Sequence, residues 1–514
     1  MTRRRLILLV VLGAIALTAS YPPFPLPMLS FFAIIPAVLL IQQAVVEASP
    51  RAAFRWGWWY GLISNAVVLY WMVVALWHFT PLSALGYLAT IGVLGLLTGT
   101  MFWFVVRMRL ALPGVPLWVV LPVTWTTLEL LIGHLGDVRF PWLGLGTSLA
   151  DAPVLVQWAD IAGARGVTLW LAWCNVAIVA AATDARGTRY AVRGYATVLA
   201  TILLAAGYGA WRVRTLPYRP LGVVGLVQPN EGFHEKWDPE HADSVVGTLI
   251  EGSRRLGNEF PGPRLIIWPE AAIPDFLWRR PEWIARITSL VRESHVPIFT
   301  GVVWADSTWR SRLDPYYNAA IFIDTTGNWR PYPVYAKHYL VPVTEHVPFV
   351  PVGVFRAIPG LRNWSGGFSP GRDLPLYDSE LGRFGVIVCY ESAFEDLPRK
   401  YRARGANFLV NITNDAWFGR TSAPRQHASH LILRAIETRM GVARAANSGI
   451  SEFVDPMGRT YLATGLDQKT FVAGVIRTTD VFPLYVRLGD WVGTLVVVLT
   501  VAGIAVLVQR RFRP

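Results

Sequence analysis

Eight apolar stretches govern what this chain can become. Seven precede residue 212, at about 5–20, 27–46, 56–78, 83–106, 115–133, 164–182 and 191–210, and one follows at about 488–509. A bilayer core of roughly 30 Å takes about 20 apolar residues as a helix. Lipid offers the backbone no hydrogen bonds, so such runs are expected to be helical. Composition agrees: 53% of residues are hydrophobic and 23 are tryptophan. That is too apolar for an ordinary soluble enzyme, and tryptophan suits bilayer interfaces. The first stretch is short. Arg3-Arg4-Arg5 before an apolar run ending Leu17-Thr18-Ala19-Ser20 has the form of a signal peptide. With six more spans behind it and no lipobox cysteine, an uncleaved signal anchor is the expectation.

Loop charge sets an expected orientation. Arg3, Arg4 and Arg5 precede span one, Arg51 and Arg55 lie between spans two and three, and Arg107 and Arg109 between four and five. Arg186, Arg189 and Arg193 lie between six and seven, and Arg510, Arg511 and Arg513 follow the last span. The loops at 21–26 and 79–82 carry no charge. Both termini are therefore expected on the cytoplasmic side of a bacterial inner membrane, with the large region after span seven extracytoplasmic (periplasmic). The segment at about 134–163, with Asp137, Phe140-Pro141-Trp142 and Asp151, reads either as a re-entrant segment or as a plain connector.

Residues 218–480 have a different pattern. Strand-like runs at 222–228, 264–268, 297–303, 319–324, 384–389, 407–412, 451–455 and 470–476 alternate in part with helical patterns at about 240–256, 281–294 and 426–441. This predicts a layered α/β domain. The organisation is thus residues 1–211 as a seven-helix transmembrane domain, 218–480 as a polar catalytic domain and 488–509 as an eighth transmembrane helix.

The net charge of +13 comes almost wholly from arginine beside apolar runs; the lysines are Lys236, Lys337, Lys400 and Lys469. No basic stripe interleaved with aromatics occurs, which excludes a nucleic-acid-binding class. The two cysteines differ. Cys174 lies inside an apolar run and reads as a small buried side chain. Cys389 ends the β-branched run Val386-Ile387-Val388 and is followed by Tyr390 and Glu391. A disulfide between a membrane span and a polar domain is rejected, and no cysteine pair has zinc spacing.

A thiol attacks as thiolate and needs a base or cation nearby. Glu270 ends Leu265-Ile266-Ile267-Trp268-Pro269-Glu270, where proline stops the strand ladder and aims the next residue off the sheet. Set beside Trp268 and the Ala271–Pro274 run, this carboxylate is expected to be poorly solvated, which suits a general base. Lys337, in Tyr335-Ala336-Lys337, supplies a compact ammonium in an arginine-dominated chain, fit to steady a thiolate and an oxyanion. Glu345 and Glu391 are each placed to hold Lys337 or Glu270, or to form structural ion pairs. Asn414-Asp415 suit a turn after a strand, and His427 with His430 sit three apart on a predicted helix with no third metal ligand evident.

Together, Trp268-Pro269-Glu270, Lys337 and Cys389-Tyr390-Glu391, in that order and spacing, resemble the nitrilase (carbon-nitrogen hydrolase) superfamily, whose triad is Glu-Lys-Cys. With seven spans before and one after, the whole chain resembles the bacterial apolipoprotein N-acyltransferase family. Val227-Gln228-Pro229-Asn230, Trp237, Tyr335 through Pro342, and Asn414 through Gly419 extend the resemblance; Trp125 through Glu129 and Phe140-Pro141-Trp142 match more loosely. The resemblance implies a polytopic α-helical membrane domain of eight helices plus a nitrilase-like αββα sandwich, acting as a monomer without cofactor or metal. It implies that Glu270 takes the proton of Cys389, that Lys337 and the Tyr390 backbone N–H hold the oxyanion, and that Trp237, Glu345, Tyr390, Glu391, Trp417 and Asn318 support the site. The implied donor is a membrane phospholipid such as phosphatidylethanolamine, and the acceptor a diacylated apolipoprotein. Val343-Thr344 departs from the Phe-Gly of many relatives and bears on loop packing. Phe355 through Trp364, with Trp417-Phe418, are expected to form mobile membrane-facing loops.

Two rivals are weighed against this. A membrane-anchored amidase would use the same triad on small C–N bonds, but eight spans are excessive for an anchor. A transporter would place ionisable residues mid-span; here Glu129 is the clearest such residue, with Asp137, Asp151 and Asp160 read into a loop.

Overall fold

A computed structural model describes residues 1–77, 83–184, 186–232, 234–259, 262–306, 308–310, 314–350, 354 and 367–511. Residues Phe355 through Trp364, expected as a membrane-facing loop, lie outside the described residues. The chain divides into two compact units, Met1–Thr215 with Pro483–Pro514, and Leu216–Phe482.

The first unit is helical: α1 (Arg3–Ser20), α2 (Ile35–Val46), α3 (Pro50–Val68), α4 (Trp71–Trp77), α5 (Ser83–Ala111), α6 (Leu117–Gly133), α7 (Ala159–Ala182) and α8 (Thr188–Thr215). Five helices of the described chain are long and apolar enough to cross a membrane, or six if the bent α3–α4 pair is one span. The expected single span at 56–78 is therefore two helices meeting at 60°. Its start moves back to Pro50, where Ser49 Oγ accepts from Ala52 N–H at 3.2 Å and proline occupies the first turn. Helices α3 and α5 approach closely along small residues: a Cβ on Gly99 would lie 2.9 Å from the Phe54 carbonyl oxygen.

The 134–158 segment is not an exposed connector. It folds into the helical unit as short 3-10 turns that bury Trp142, Leu145, Leu149 and Val156. Leu145 N–H donates to Glu129 Oε1 at 2.8 Å and Gly146 N–H to Thr168 Oγ1 at 3.0 Å, so Glu129 has a structural partner within its own unit. Asp160, expected in a loop, opens α7 and pairs with Arg212 at 2.9 Å. Buried opposite charges close this end of the unit instead of standing alone in a span.

The second unit holds two sheets. The first runs β13-β1-β2-β4-β5-β6, with β3 paired to β4; the second runs β12-β11-β10-β9-β8-β7. Their ranges are β1 (Arg219–Gln228), β2 (Pro263–Ile267), β3 (Ile273–Phe276), β4 (Ile298–Trp304), β5 (Tyr317–Ile323), β6 (Tyr335–Ala336) and β7 (Tyr377–Ser379). Then come β8 (Gly382–Val388), β9 (Phe408–Thr413), β10 (Gly441–Ala446), β11 (Glu452–Val454), β12 (Thr460–Tyr461) and β13 (Thr470–Thr478). The central strands β1-β2-β4 and β8-β9-β10 are parallel. Parallel strands need both faces covered, which fits the apolar runs Leu265-Ile266-Ile267 of β2 and Val386-Ile387-Val388 of β8. Helices α9 (Ala242–Glu259) and α10 (Pro281–Ser294) cover the first sheet; α11 (Asp396–Ala403) and α12 (Ala423–Thr438) cover the second. Between the sheets, Phe299 of β4 meets Phe384 of β8 edge-on at 5.3 Å. The result is an αββα sandwich. The chain then returns to the helical unit through α13 (Leu484–Leu488) and α14 (Trp491–Arg511).

Candidate active site

Parallel strands deliver their C-terminal ends to one edge, and the residues after β2, β8 and β9 meet there. After β2, Trp268 N–H still bonds Phe299 O at 2.9 Å, and Pro269 then ends the ladder. The chain turns at Ala271, φ +46°, and passes tightly over β4. A Cβ on Gly301 would lie 2.5–2.6 Å from Pro269 O, Glu270 Cα and Ala271 N. Only glycine leaves room for Glu270 at that position. After β8, Cys389 takes φ +51° and begins a 3-10 turn through Ala393. A left-handed conformation at a non-glycine residue is strained, and strain of this kind gathers at functional sites.

Glu270 is 4% exposed and Lys337 0%. Lys337 Nζ lies 3.1 Å from Glu270 Oε1 and 2.9 Å from Glu345 Oε1. Asn318 Nδ2, from β5, donates to the same two oxygens at 2.7 and 2.8 Å. Asn414 N–H donates to Glu270 Oε2 at 2.9 Å, and Val341 N–H to Glu345 Oε2 at 2.7 Å. Glu270 is buried from water as its flanking residues suggest, but the surroundings of its carboxylate are polar and not apolar. Three donors from β5, the lysine loop and the end of β9 replace its water, and none is near it in sequence. Despite Val343-Thr344, whose first residue has φ +71°, the loop still brings Glu345 to Lys337.

Electrostatics follow from this packing. Burial alone would drive the Lys337 ammonium down, but Glu270, Glu345 and Cys389 hold it well above the ordinary lysine range. Burial and then the Glu270 charge push the Cys389 thiol well up, against the pull of Lys337. Burial and the Glu270 charge thus both favour the neutral thiol over the thiolate.

Glu391 does neither thing expected of it. Its Oε1 accepts from the backbone N–H of His338 (2.6 Å) and Tyr339 (3.2 Å); its Oε2 accepts from Tyr335 Oη (2.6 Å) and Val388 N–H (2.7 Å). It binds the end of β8 to the lysine loop and holds neither Lys337 nor Glu270 directly. Tyr390 is buried against Phe394, ring centroids 5.2 Å apart. Trp237 is exposed. Trp417 lies half-buried on the turn after Asp415, while Phe418 is buried edge-on to His427, so the pair does not form one exposed apolar face.

Two features escaped the sequence reading. Lys236 is 1% exposed and donates to the Glu270 backbone oxygen at 2.8 Å, so two of the few lysines flank one carboxylate residue. Burial pulls the Lys236 ammonium down to about 8 against Glu270 and Glu231, which favour its charge. Its scarcity among arginines was the available signal. Second, Asp415 accepts from Thr413 Oγ1 (2.9 Å), His427 Nδ1 (2.9 Å) and Arg444 (2.8 Å). Sulfur, oxygen and nitrogen atoms of Cys389, Asp415 and His427 lie within 4.8 Å of one another, a spacing that fits a cation. The buried Arg444 guanidinium already supplies the positive charge there, so the donor set reads as an ion-pair network. Cys174 and Cys389 are free thiols in separate units.

Comparison with known proteins completes the picture. Residues 13–177 match the family described as apolipoprotein N-acyltransferase N-terminal domain, and residues 223–479 the carbon-nitrogen hydrolase family. A Geobacter metallireducens protein named apolipoprotein N-acyltransferase is 32% identical, over 99% of this chain and 96% of its own. A Gloeobacter violaceus protein of the same name is 30% identical, over 97% of this chain and 93% of its own. The solved structure of an amidase from Nesterenkonia sp. aligns with 53% of this chain and 95% of its own, at TM-score 0.37 and 17% identity.

Proposed function

The chain belongs to the apolipoprotein N-acyltransferase family, and we propose that it moves a fatty acyl chain from a membrane phospholipid to the α-amine of an apolipoprotein's N-terminal diacylglyceryl-cysteine, through a thioester on Cys389. The observation that carries this reading is the buried Glu270–Lys337 ion pair, 3.1 Å long, whose two charges act on the buried Cys389 sulfur.

In the first half-reaction Glu270 takes the Sγ proton as sulfur attacks the ester carbonyl carbon. The oxyanion is met by Lys337 Nζ and the Tyr390 backbone N–H. Collapse expels the glycerol oxygen, which leaves with the proton from Glu270 as a lysophospholipid, and the acyl group stays on sulfur. In the second, the α-amine attacks the thioester carbonyl, Glu270 accepts an amine proton, and the C–S bond breaks to leave an amide. The same proton then returns to sulfur. Lys337 stays charged throughout because two carboxylates face it, so it stabilises charge and does not shuttle protons. Asn318 and Glu345 fix Glu270 and Lys337 in register; Trp237 and Trp417 are read as lid or substrate contacts.

Lipid substrates explain the helical unit. Exposing an acyl chain to water costs about 0.8 kcal/mol per CH₂, so a site that never withdraws the chain from apolar surroundings avoids that cost. Helices α1 and α6 are read as spans beside the six counted by length and composition, which makes eight. Both ends are then cytoplasmic, with the sandwich on the opposite face of a bacterial inner membrane. Phosphatidylethanolamine is the assigned donor, and a single chain suffices.

Intact-mass analysis of the full-length protein after incubation with phosphatidylethanolamine alone tests the mechanism. An acyl adduct is expected on the wild type and absent from Cys389→Ala and Glu270→Ala. Adding a diacylated lipopeptide should discharge it. Ammonia release from small amides without any adduct would instead identify an amidase, and normal acylation of Glu270→Ala would remove Glu270 as base.

A further inference from the structure

Asn447 follows β10 directly, and the pairing of Ala446 with Thr413 sets it beside Asn414, the residue after β9. It is 1% exposed, and all of its polar groups are bonded. Its backbone N–H donates to Thr413 O at 3.1 Å, within the second sheet. Its backbone oxygen accepts from Asn230 N–H at 2.9 Å, just past the end of β1 in the first sheet. The side chain repeats this link between sheets. Oδ1 accepts from Glu231 N–H at 3.0 Å, and Nδ2 donates to Glu231 O at 2.7 Å and to Asn414 Oδ1 at 3.0 Å. A carbonyl oxygen only accepts, so the amide can face Glu231 only this way round. The carboxamide meets Glu231 as a neighbouring strand would, with one N–H and one C=O.

Both partners of that amide lead to Glu270. Asn414 N–H is the donor to Glu270 Oε2 at 2.9 Å. The Asn414 side-chain oxygen, held by Asn447 and by Ala416 N–H at 3.4 Å, fixes the turn that aims this donor. On the other side, Lys236 N–H bonds Gly232 O at 3.0 Å, and Lys236 Nζ reaches the Glu270 backbone oxygen at 2.8 Å. We infer that Asn447 is a positioning residue for Glu270: from one point it sets the donor on the carboxylate and anchors the segment whose lysine holds the backbone. It bonds neither Glu270, Lys337 nor Cys389 itself and acts through Asn414 and Glu231. Glu270 comes from the first sheet and Asn414 from the second, so their bond holds only while the sheets keep their spacing. Asn447 fixes that spacing beside it, and proton transfer is sensitive to small displacements of the base.

The inference rests on Glu270 acting as base for Cys389, and its test uses no lipid. The burst of nitrophenolate from p-nitrophenyl butyrate is timed near neutral pH in the full-length protein in detergent, with Cys389→Ala as blank and melting temperature as a check on folding. Asn447→Ala removes the amide and leaves room for water. It should lower the burst rate constant roughly tenfold and leave the half-saturating ester concentration unchanged, because orientation of the base is lost and not ester binding. Asn447→Ser takes its place if the alanine variant melts below the assay temperature. In a Glu270→Ala background, which keeps a slower burst, the Asn447 change should cost nothing further, since the group it positions is gone. A purely structural role would lower the rate by the same factor in both backgrounds, and that result overturns the proposal. So does a folded Asn447 variant with the wild-type rate constant, or a Glu270→Ala protein as fast as wild type. An ester burst without any phospholipid adduct would fail the lipid-transfer reading alone and leave this result standing.

Discussion

Lys236 shows what a single buried charge does to a site. Its ammonium falls from the ordinary 10.5 to about 8 because burial disfavours charge more than Glu270 and Glu231 favour it. The unfolded chain therefore binds the proton more tightly than the folded one. Stability should rise as pH climbs from about 8 towards 10.5, by about 3 kcal/mol in total. Melting curves of the wild type and Lys236→Met in detergent should converge or cross over that window, with the variant lacking the rise; parallel curves would contradict it. Asp415 is shifted the same way, so stability again rises with pH, but in an acid window. Burial raises its carboxyl, but Arg444 and His427 overcome this and hold it down to about 2, so its contribution is present above the ordinary carboxylate range and lost as pH falls towards 2. At this scale the sequence reveals part of the site. Cys389, Glu270 and Lys337 stand at ends of apolar runs, where local context marks them. The bond from Lys236 to the Glu270 backbone, and the meeting of Asp415, His427 and Arg444, exist only once distant segments are folded together.

At the scale of elements, strand ends fix the chemistry, and β4 matters as much as the strands that carry it. Gly301→Ala puts a methyl group against the Pro269–Ala271 backbone. Glu270 must move, and a displacement near 1 Å can cost about 100-fold in rate. Thioester formation on Cys389 should fall by about that factor, with a loss of about 1–3 kcal/mol in stability from overpacking; an unchanged acylation rate would show that the loop relaxes without moving Glu270. Strands β1, β2, β4, β5, β8 and β9 are legible as β-branched or aromatic runs. Strand β10, Gly-Val-Ala-Arg-Ala-Ala, is not, because its residues are poor strand formers and packing between β9 and β11 decides its state. The predicted helix at 426–441 ran into it; the left-handed Arg439, φ +53°, ends α12 instead. Strands β3, β6, β7 and β12 span two to four residues, too few for a periodic signal.

For the whole molecule, hydropathy locates the apolar runs but not their breaks. The 60° bend between α3 and α4 follows a run that is apolar on both sides, so composition cannot reveal it. The orientation drawn from loop arginines is open to direct test. With Arg254→Cys and Arg186→Cys introduced singly, a membrane-impermeant maleimide applied to spheroplasts should label the first and spare the second. Both sites are exposed within their own units, and the reverse labelling would invert the topology.

The four donors gathered by Glu391 carry a lesson about motion. A clamp that grips the strand before Cys389 and the loop of Lys337 at once leaves no slack between them: neither can swing aside without rupturing buried bonds to one or both oxygens. The floor beneath Cys389 and Lys337 is therefore a single rigid plate. Whatever opens and shuts to let two bulky lipids take turns must be built from segments this carboxylate does not touch.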